Sequence, residues 1–289
     1  MATKSTKSTK PTMAFHHFNS VADQRDFNST PCNRSENDNL RSSYSDMVRD
    51  VSTYGFRGNM ETINGFIMNG FPQGLSDIET MYDRVFTRLP KAIGVGRSLR
   101  RGDNGDTLDI HAVNRGAVDR AWSKSVRTVK KAPLPIQLIV DIGGNCDVSA
   151  NQLRYRGVAA SALAQIMVTA GYSVEIVAAF ATTRTMANNN TPIVISTTIK
   201  PRGGRVDKNL LSSTVCLPGF FRTYGFVSLV RACDNVGATT VSSLGQALPV
   251  QGIYPSNSAL TQLVIPMAVR DEETATNWVK NTITLLQGI

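Results

Sequence analysis

A largely apolar segment in the middle of the chain gives the clearest prediction of secondary structure. Residues 136–141 read Ile-Gln-Leu-Ile-Val-Asp, which is typical of a strand buried on both faces of a sheet. The neighbouring glycines Gly143 and Gly144 allow the backbone to turn sharply. Ser149 followed by Gln152 is the pattern of a capping box, which predicts that a helix begins there.

The predicted helix is followed by a second strand. Gly171 stands where the helix is expected to end, and residues 173–180 read Ser-Val-Glu-Ile-Val-Ala-Ala-Phe, a strand pattern. The apolar residues of the helix recur at helical spacing; they are Leu153, Ala159, Ala162, Leu163, Ile166, Met167 and Ala170. A strand, a helix and a second strand in this order predict the start of a parallel α/β sheet.

The β-branched segment 192–200 predicts a third strand. Residues 181–191 are polar and show no helical pattern, so we expect a loop there. The third strand should then pair antiparallel with the second and form an edge of the sheet. The elements predicted further on are helix 207–213, strand 213–217, helix 221–233, strand 260–269 and helix 271–286.

The first 131 residues have a weaker pattern. Lys, Ser and Thr dominate residues 1–12, which we expect to be a disordered basic tail. We predict an N-terminal α+β extension in residues 13–131 and the α/β domain in residues 133–289. The elements predicted in the extension are helices 15–27, 60–68 and 76–89, a β-hairpin within 93–113 whose tip is Asn104-Gly105, and helix 115–126.

The charge of the chain bears on its possible partners, because the formal net charge is +9. Residues 97–131 hold nine basic and four acidic residues. Such a balance favours an anionic partner such as nucleic acid, although a basic protein without that partner fits the same composition. The candidate nucleic-acid-binding residues are Arg97, Arg100, Arg101, Arg115, Arg120, Lys124, Arg127, Lys130 and Lys131.

The sequence lacks the patterns that are typical of structural zinc sites and of phosphate-binding loops. The four cysteines are far apart and only three histidines are present, whereas structural zinc sites use closely spaced ligands. The phosphate-binding patterns G-x-G-x-x-G and G-x-x-x-x-G-K-[ST] are absent from the sequence. We therefore assign no catalytic residue and expect a protein that is not an enzyme.

The order of elements in residues 133–289 resembles that of a von Willebrand factor A-type domain. That family has a Rossmann-like, three-layer α/β fold with a mostly parallel sheet and one antiparallel edge strand. Its first strand ends in Asp-x-Ser-x-Ser, which binds Mg²⁺ in a metal-ion-dependent adhesion site. Asp141 matches this motif, whereas Gly143 and Asn145 replace its two serines. The resemblance implies a degenerate site in which Asp141 and Asn145 are weak Mg²⁺ ligands, and we expect no other cofactor.

Four segments also resemble an uncharacterised family of phage, prophage and plasmid proteins. They are residues 141–150, 156–164, 170–176 and 217–222. This resemblance implies an origin on a mobile genetic element, and it assigns no reaction.

Three arginines are candidates for contact with an anion. Ligands of open α/β sheets bind beyond the carboxyl ends of the strands, where we place Asn145, Arg154, Arg156 and Arg222. Arg154 and Arg156 lie in the first turns of a predicted helix, where the helix dipole disfavours cations. They indicate either a bound anion, such as a phosphate or a carboxylate of a partner, or pairing with Asp141, Asp147 or Asp109 of the same chain.

The leading hypothesis is a non-catalytic binding module that recognises a protein partner through the loop after Asp141. The alternatives are a nucleic-acid-associated protein that uses residues 97–131, and a divergent metal-dependent enzyme. The sequence contains no apolar run near the roughly 20 residues needed to span a bilayer. We expect a location in the cytoplasm of the host cell or in a virion, with no membrane contact, and the sequence leaves the oligomeric state open.

Overall fold

The central sheet of the chain is mostly parallel and is combined with helices in a mixed α/β arrangement. The computed structural model describes residues 14–29, 45–86, 97–127, 135–145, 147–186, 189–235, 239–240 and 247–287. The predicted basic tail, residues 1–12, lies outside these ranges.

The strands are β1 Ala14–Phe18, β2 Arg97–Gly102, β3 Thr107–Leu108, β4 Trp122–Arg127, β5 Ile136–Asp141, β6 Val174–Met186, β7 Asn189–Lys200, β8 Thr239–Thr240, β9 Ala247–Leu248 and β10 Thr261–Ile265. The helices are α1 Val21–Ser29, α2 Val51–Tyr54, α3 Met60–Asn69, α4 Pro72–Phe86, α5 Ile110–Asn114, α6 Ala150–Thr169, α7 Lys208–Thr214, α8 Pro218–Phe220, α9 Phe226–Asn235 and α10 Glu272–Gln287. A 3₁₀ turn spans Val118–Arg120, and a π turn at Phe221–Gly225 joins α8 to α9.

The strand order across the central sheet is β1-β7-β6-β5-β10. The pairs β1/β7, β6/β5 and β5/β10 are parallel, and β6/β7 is antiparallel. The antiparallel pairing predicted for the two strands around residue 187 is thus confirmed. The prediction that the third strand forms an edge is wrong, because β1 covers its outer side.

The strands β6 and β7 are longer than predicted. Residues predicted as a polar loop continue both strands, up to Met186 and again from Asn189. The extended part of β6 pairs with β7 on one side and with β8 and β9 on the other. These pairings satisfy backbone N–H and C=O groups that a loop would have left to bond with water.

Helix ends are where the sequence predicts best. Ser149 and Gln152 form the predicted capping box at the start of α6, and Gly171 has the positive φ of a residue that follows a helix. Helix α4 is an exception, because it begins at Pro72, whereas its predicted start is residue 76. Proline fits the first turn of a helix, where its missing N–H has no partner to lose.

The strand predicted at 213–217 is wrong. Asp207 accepts a hydrogen bond from Leu210 N and caps α7, which continues to Thr214. The hydroxyls of Ser213 and Thr214 donate to carbonyls one turn earlier in the same helix. These bonds accommodate residues whose sequence pattern favours a strand.

The helix predicted at 15–27 is divided between β1 and α1. The break falls at Ser20, whose hydroxyl accepts from Asp23 N at the start of α1. The preceding residues pair with β7 instead, so the N-terminal end of the described chain contributes a strand to the central sheet.

The predicted hairpin around Asn104-Gly105 is also wrong. Strands β2 and β3 do not pair with each other; each pairs antiparallel with β4, in the order β2-β4-β3. The predicted helix 115–126 is therefore absent, because Trp122–Arg127 is the central strand of this small sheet. The Asn104-Gly105 pattern indicates a turn but does not indicate that β4 pairs with both β2 and β3.

Apolar side chains form two clusters on opposite faces of the central sheet. In β5, Leu138 and Val140 belong to the larger cluster with α6 and α10, whereas Ile139 belongs to the smaller one. Val250, fully buried, closes the smaller cluster. No helix within the described ranges combines the length and apolar character needed to cross a bilayer.

Candidate functional site

Asp141 ends β5 and is almost completely buried, with 2% of its surface exposed. Its Oδ1 accepts a hydrogen bond from Gly143 N at 3.0 Å, and its Oδ2 accepts one from Val250 N at 3.1 Å. Burial raises the pKa of Asp141 to about 6, although these two N–H donors and the charge of Arg156 act in the opposite direction. The carboxyl group thus joins the turn after β5 to the segment that covers the smaller apolar cluster.

Arg156 lies beneath the same turn and is 1% exposed. Its Nη1 donates to the carbonyl oxygens of Asp141 at 3.1 Å and Gly143 at 2.9 Å. The helix α6 brings this guanidinium to the end of β5 because Arg156 follows the capped start of the helix by two turns. Arg156 therefore holds main-chain groups inside the protein, and of its two predicted roles the contact with an external anion does not fit this burial.

Arg222 braces the far side of the loop. It belongs to the π turn between α8 and α9, where all five residues are buried. Its Nη2 donates to the carbonyls of Asn145 and Val148, each at 3.1 Å, and its Nη1 donates to the carbonyl of Thr53. One side chain thus ties the loop between β5 and α6 to α2. A π turn re-aims side chains relative to a regular helix and is frequent at functional sites.

Asn145 is exposed, yet its amide oxygen is engaged. Oδ1 accepts a hydrogen bond at 3.0 Å from Ala247 N, at the start of β9. Together with the bond between Val250 and Asp141, this contact ties residues 247–250 to the loop at two points. The loop between β5 and α6, braced by Asp141, Asn145, Arg156 and Arg222, is called the braced loop below.

The anionic group that contacts Arg154 belongs to the same chain. Its Nε lies 2.8 Å from Asp77 Oδ2 in α4, and both side chains are mostly buried. The negative charge beside Arg154 is therefore Asp77, and not Asp141, Asp147 or Asp109, the internal partners that the sequence suggested. Asp77 is a residue that sequence reasoning missed, because it stands more than seventy positions earlier in the chain.

The donor set at the braced loop differs from that of a metal site. Both oxygens of Asp141 and the amide oxygen of Asn145 accept backbone N–H groups. A Cβ at Gly143 would lie 3.1 Å from Asp141 Oδ1, tighter than an ordinary contact, so the serine of the adhesion motif does not fit this conformation without a shift. Among the described residues, no group of three or more His, Cys, Asp or Glu side chains is placed to hold a metal ion. Mg²⁺ would have to compete with the protein's own N–H groups for Asp141 and Asn145.

The outward side of the braced loop is polar. Asn145, Asp147 and Ser149 are exposed, while Gly143 and Gly144 behind them are buried. The loop thus presents a short polar rim at the carboxyl end of a central strand, the edge where ligands of α/β sheets bind.

The described part of the basic segment, residues 97–127, forms the three-stranded sheet β2-β4-β3 and the turns between its strands. It does not contribute to the braced loop. Register places Arg97 opposite Arg127, and Arg100 opposite Lys124, on neighbouring strands. Arg101, Arg115, Arg120 and Lys124 are exposed, while Lys130 and Lys131 lie outside the described residues. Of the residues of this sheet whose side chains the structure describes, 101–102, 107–108 and 122–124, none belongs to either apolar cluster.

The chain belongs to the protein family described as a domain of unknown function (DUF7192), whose model matches residues 3–287. The match spans the small sheet as well as the braced loop, so both are parts of one family unit. Searches of curated proteins and of solved structures found no match.

Proposed function

We propose that the protein is a non-catalytic binding module that recognises a protein partner through the rim of the braced loop. The observation that carries this proposal is the bracing itself. Arg222 and Asp141 use buried bonds to fix a loop whose Asn145, Asp147 and Ser149 are exposed. A surface that is already ordered loses little conformational entropy when a partner binds.

The proposal extends to the origin and class of the module. The succession β5, α6, β6 and β7, with Asp141 at the end of the first strand, resembles a von Willebrand A-type domain. The braced loop then corresponds to a degenerate adhesion loop that contacts its partner without a resident Mg²⁺. The resemblance of residues 141–150, 156–164, 170–176 and 217–222 to an uncharacterised family of phage, prophage and plasmid proteins supports a role on a mobile genetic element.

Site-specific photo-crosslinking tests the binding surface. A photo-reactive amino acid replaces Asp147, and the variant is exposed to an extract of cells that naturally make the protein. We expect a crosslinked protein whose yield falls when excess unlabelled wild type is added, but not when excess Asn145→Ala/Asp147→Ala protein is added. The same photo-reactive residue at Asn281, exposed on α10, is the control. Identical adducts at the two positions would overturn the proposal.

Association with nucleic acid through residues 97–131 is the second candidate function. The register favours it, because it sets Arg97 opposite Arg127 and Arg100 opposite Lys124 and so concentrates basic residues on two neighbouring strands. Affinity for duplex DNA or for single-stranded RNA should then fall steeply as salt is raised, and should fall further in Lys124→Ser. Affinity that is weak at low salt and insensitive to Lys124 would exclude this candidate.

A further inference from the structure

Strand β10 lies at one edge of the central sheet. It pairs in parallel with β5, and among the described residues no strand pairs with its other side. Residues 261–264 are each partly exposed, as expected of an edge strand. Thr261 N donates to Pro135 O at 2.9 Å, so the backbone N–H and C=O groups of Thr261 face β5.

The backbone groups of successive residues point alternately to the two sides of a strand. The groups of Leu263 and Ile265 therefore face β5, like those of Thr261, whereas the groups of Gln262 and Val264 point away from the sheet. Within the part of the chain that the structure describes, no hydrogen bond satisfies these outward groups. The outward N–H and C=O groups of Gln262 and Val264 are called the open edge below.

The open edge is short and is bounded on both sides. Before it, Leu260 N donates to Asn257 O at 3.2 Å within a turn. After it stands Pro266, which has no N–H group. Unpaired backbone groups at the edge of a sheet are a template for pairing with another strand. Here the template is centred on Leu263, with one residue that offers both a donor and an acceptor on each side.

We propose that two copies of the chain pair antiparallel along β10, about a twofold axis at Leu263. This register sets Gln262 opposite Val264 of the second copy, and the twofold axis repeats the pair. Outward-facing residues that lie opposite each other exchange two N–H···O bonds. The two pairs together satisfy every group of the open edge in both copies and join the two central sheets into one. This inference is independent of the proposed function.

The composition and the length of the edge favour a second copy as the occupant. All five residues of β10 are uncharged, so no like charges meet when two copies approach. Edge strands that avoid association usually carry a charge, a proline or a bulge, and the register of β10 with β5 has no bulge. A longer strand of another protein would extend past Leu260 and Pro266, which offer it no free N–H group.

Sedimentation velocity of the full-length protein tests the pairing. Two short strands bury less than the roughly 1,200 Å² of a standard stable interface, so we expect a dimer that dissociates on dilution through the micromolar range. Val264→Pro removes an outward donor and keeps the bonds to β5, which proline at an edge permits. Its dimer should be at least about tenfold weaker. Met68→Ser is the control, because Met68 is 75% exposed on α3, and it should associate like the wild type.

Amide hydrogen exchange measured by NMR tests the register without any substitution. We expect the amides of Gln262 and Val264 to exchange slowly in concentrated wild type and faster on dilution. The amides of Leu263 and Ile265, which face β5, should be protected at every concentration.

Three results would overturn the inference. The first is a wild type that stays monomeric at every concentration. The second is a dimer that is as stable in a folded Val264→Pro as in the wild type, or that is lost in Met68→Ser. The third is exchange at Gln262 and Val264 that does not depend on concentration. If Val264→Pro does not fold, the exchange measurement still decides.

Discussion

Buried charged side chains at the braced loop are matched mostly by main-chain groups. Arg156 and Arg222 donate to carbonyl oxygens, and Asp141 accepts from backbone N–H groups. A charge that is buried without partners is costly, so these bonds must be kept for the loop to keep its shape. The residues at the end of β5 therefore stabilise the conformation of the loop.

Removing the Arg222 guanidinium should loosen the loop. Arg222→Met keeps much of the apolar stem but leaves the carbonyls of Asn145, Val148 and Thr53 without their donor. We expect the free energy of unfolding to fall by about 3 kcal/mol, measured by urea denaturation. Arg202→Met is the control, because Arg202 is exposed and its loss should change stability by no more than about 0.5 kcal/mol.

Asp141 should make stability depend on pH in an unusual direction for a carboxylate. Its pKa is raised from 3.8 to about 6, so the folded protein binds this proton more tightly than the unfolded chain. The contribution is fully present below the unfolded pKa and is lost as pH rises to about 6. The unfolding free energy of the wild type, minus that of Asp141→Asn, should fall by about 2 kcal/mol between pH ~4 and ~7. A difference that stays constant, or rises with pH, would show that the folded pKa is not raised.

The sequence selected four residues that lie together in the fold, but it did not reveal the groups that they contact. Asp141, Asn145, Arg156 and Arg222 were all selected from local patterns, and the structure gathers them around one loop. Their bonds go to carbonyls and N–H groups of residues as distant as Thr53 and Val250. Main-chain partners have no side-chain signature, so no sequence pattern could have revealed them.

At the scale of elements, one close approach determines how α6 packs. Gly157 faces the turn after α7, where a Cβ would lie 2.1 Å from the carbonyl oxygen of Val215. The carbonyl oxygen belongs to the backbone and cannot rotate away as a flexible side chain could. Helix α6 and the turn after α7 could therefore not move apart without disturbing the core. The small residue sets the distance between α6 and the segment that leads to α8.

Gly157→Ala should therefore destabilise the protein although alanine favours helices. We expect a loss of about 2–4 kcal/mol in the free energy of unfolding, since overpacking forces backbone shifts. Gly65→Ala is the matched control in α3, because nothing lies within 4 Å of its added Cβ. That variant should gain about 0.5–1 kcal/mol. Equal effects of the two substitutions would contradict the close approach.

Elements with strong caps and apolar periodicity were predicted correctly, as α3, α6 and α10 illustrate. The failures were short elements whose state depends on a distant partner. Trp122–Arg127 forms a strand because β2 and β3 flank it, and β1 forms because the edge of β7 is available. Local propensity cannot report such pairings.

At the scale of the whole molecule, a buried polar network attaches the N-terminal elements to the core. Gln24 in α1 is 2% exposed. Its Nε2 donates to Ser228 Oγ at 2.9 Å, and its Oε1 accepts from Thr197 Oγ1 at 3.0 Å. Helix α1 is thereby joined to both α9 and β7, so the first described residues are part of the same packed structure as the sheet.

Gln24→Ala should weaken this attachment. The hydroxyls of Thr197 and Ser228 would lose a buried partner, and we expect a loss of about 2 kcal/mol, with faster hydrogen exchange in β1 and α1. Gln251→Ala, at an exposed position, serves as the control and should leave both measurements unchanged. Unchanged exchange in Gln24→Ala would mean that the N-terminal elements are attached by other contacts.

The central claim is that Asp141 and Asn145 hold the braced loop through hydrogen bonds rather than through a metal ion. The most direct measurement is a thermal melt of the wild type, Asp141→Asn and Asp147→Asn, with and without Mg²⁺, Mn²⁺ or Ca²⁺. An ion that binds only the folded state must raise the melting temperature of the protein. We predict no rise in any of the three proteins. A rise in the wild type and in Asp147→Asn that disappears in Asp141→Asn would contradict this account and indicate a metal-dependent adhesion site.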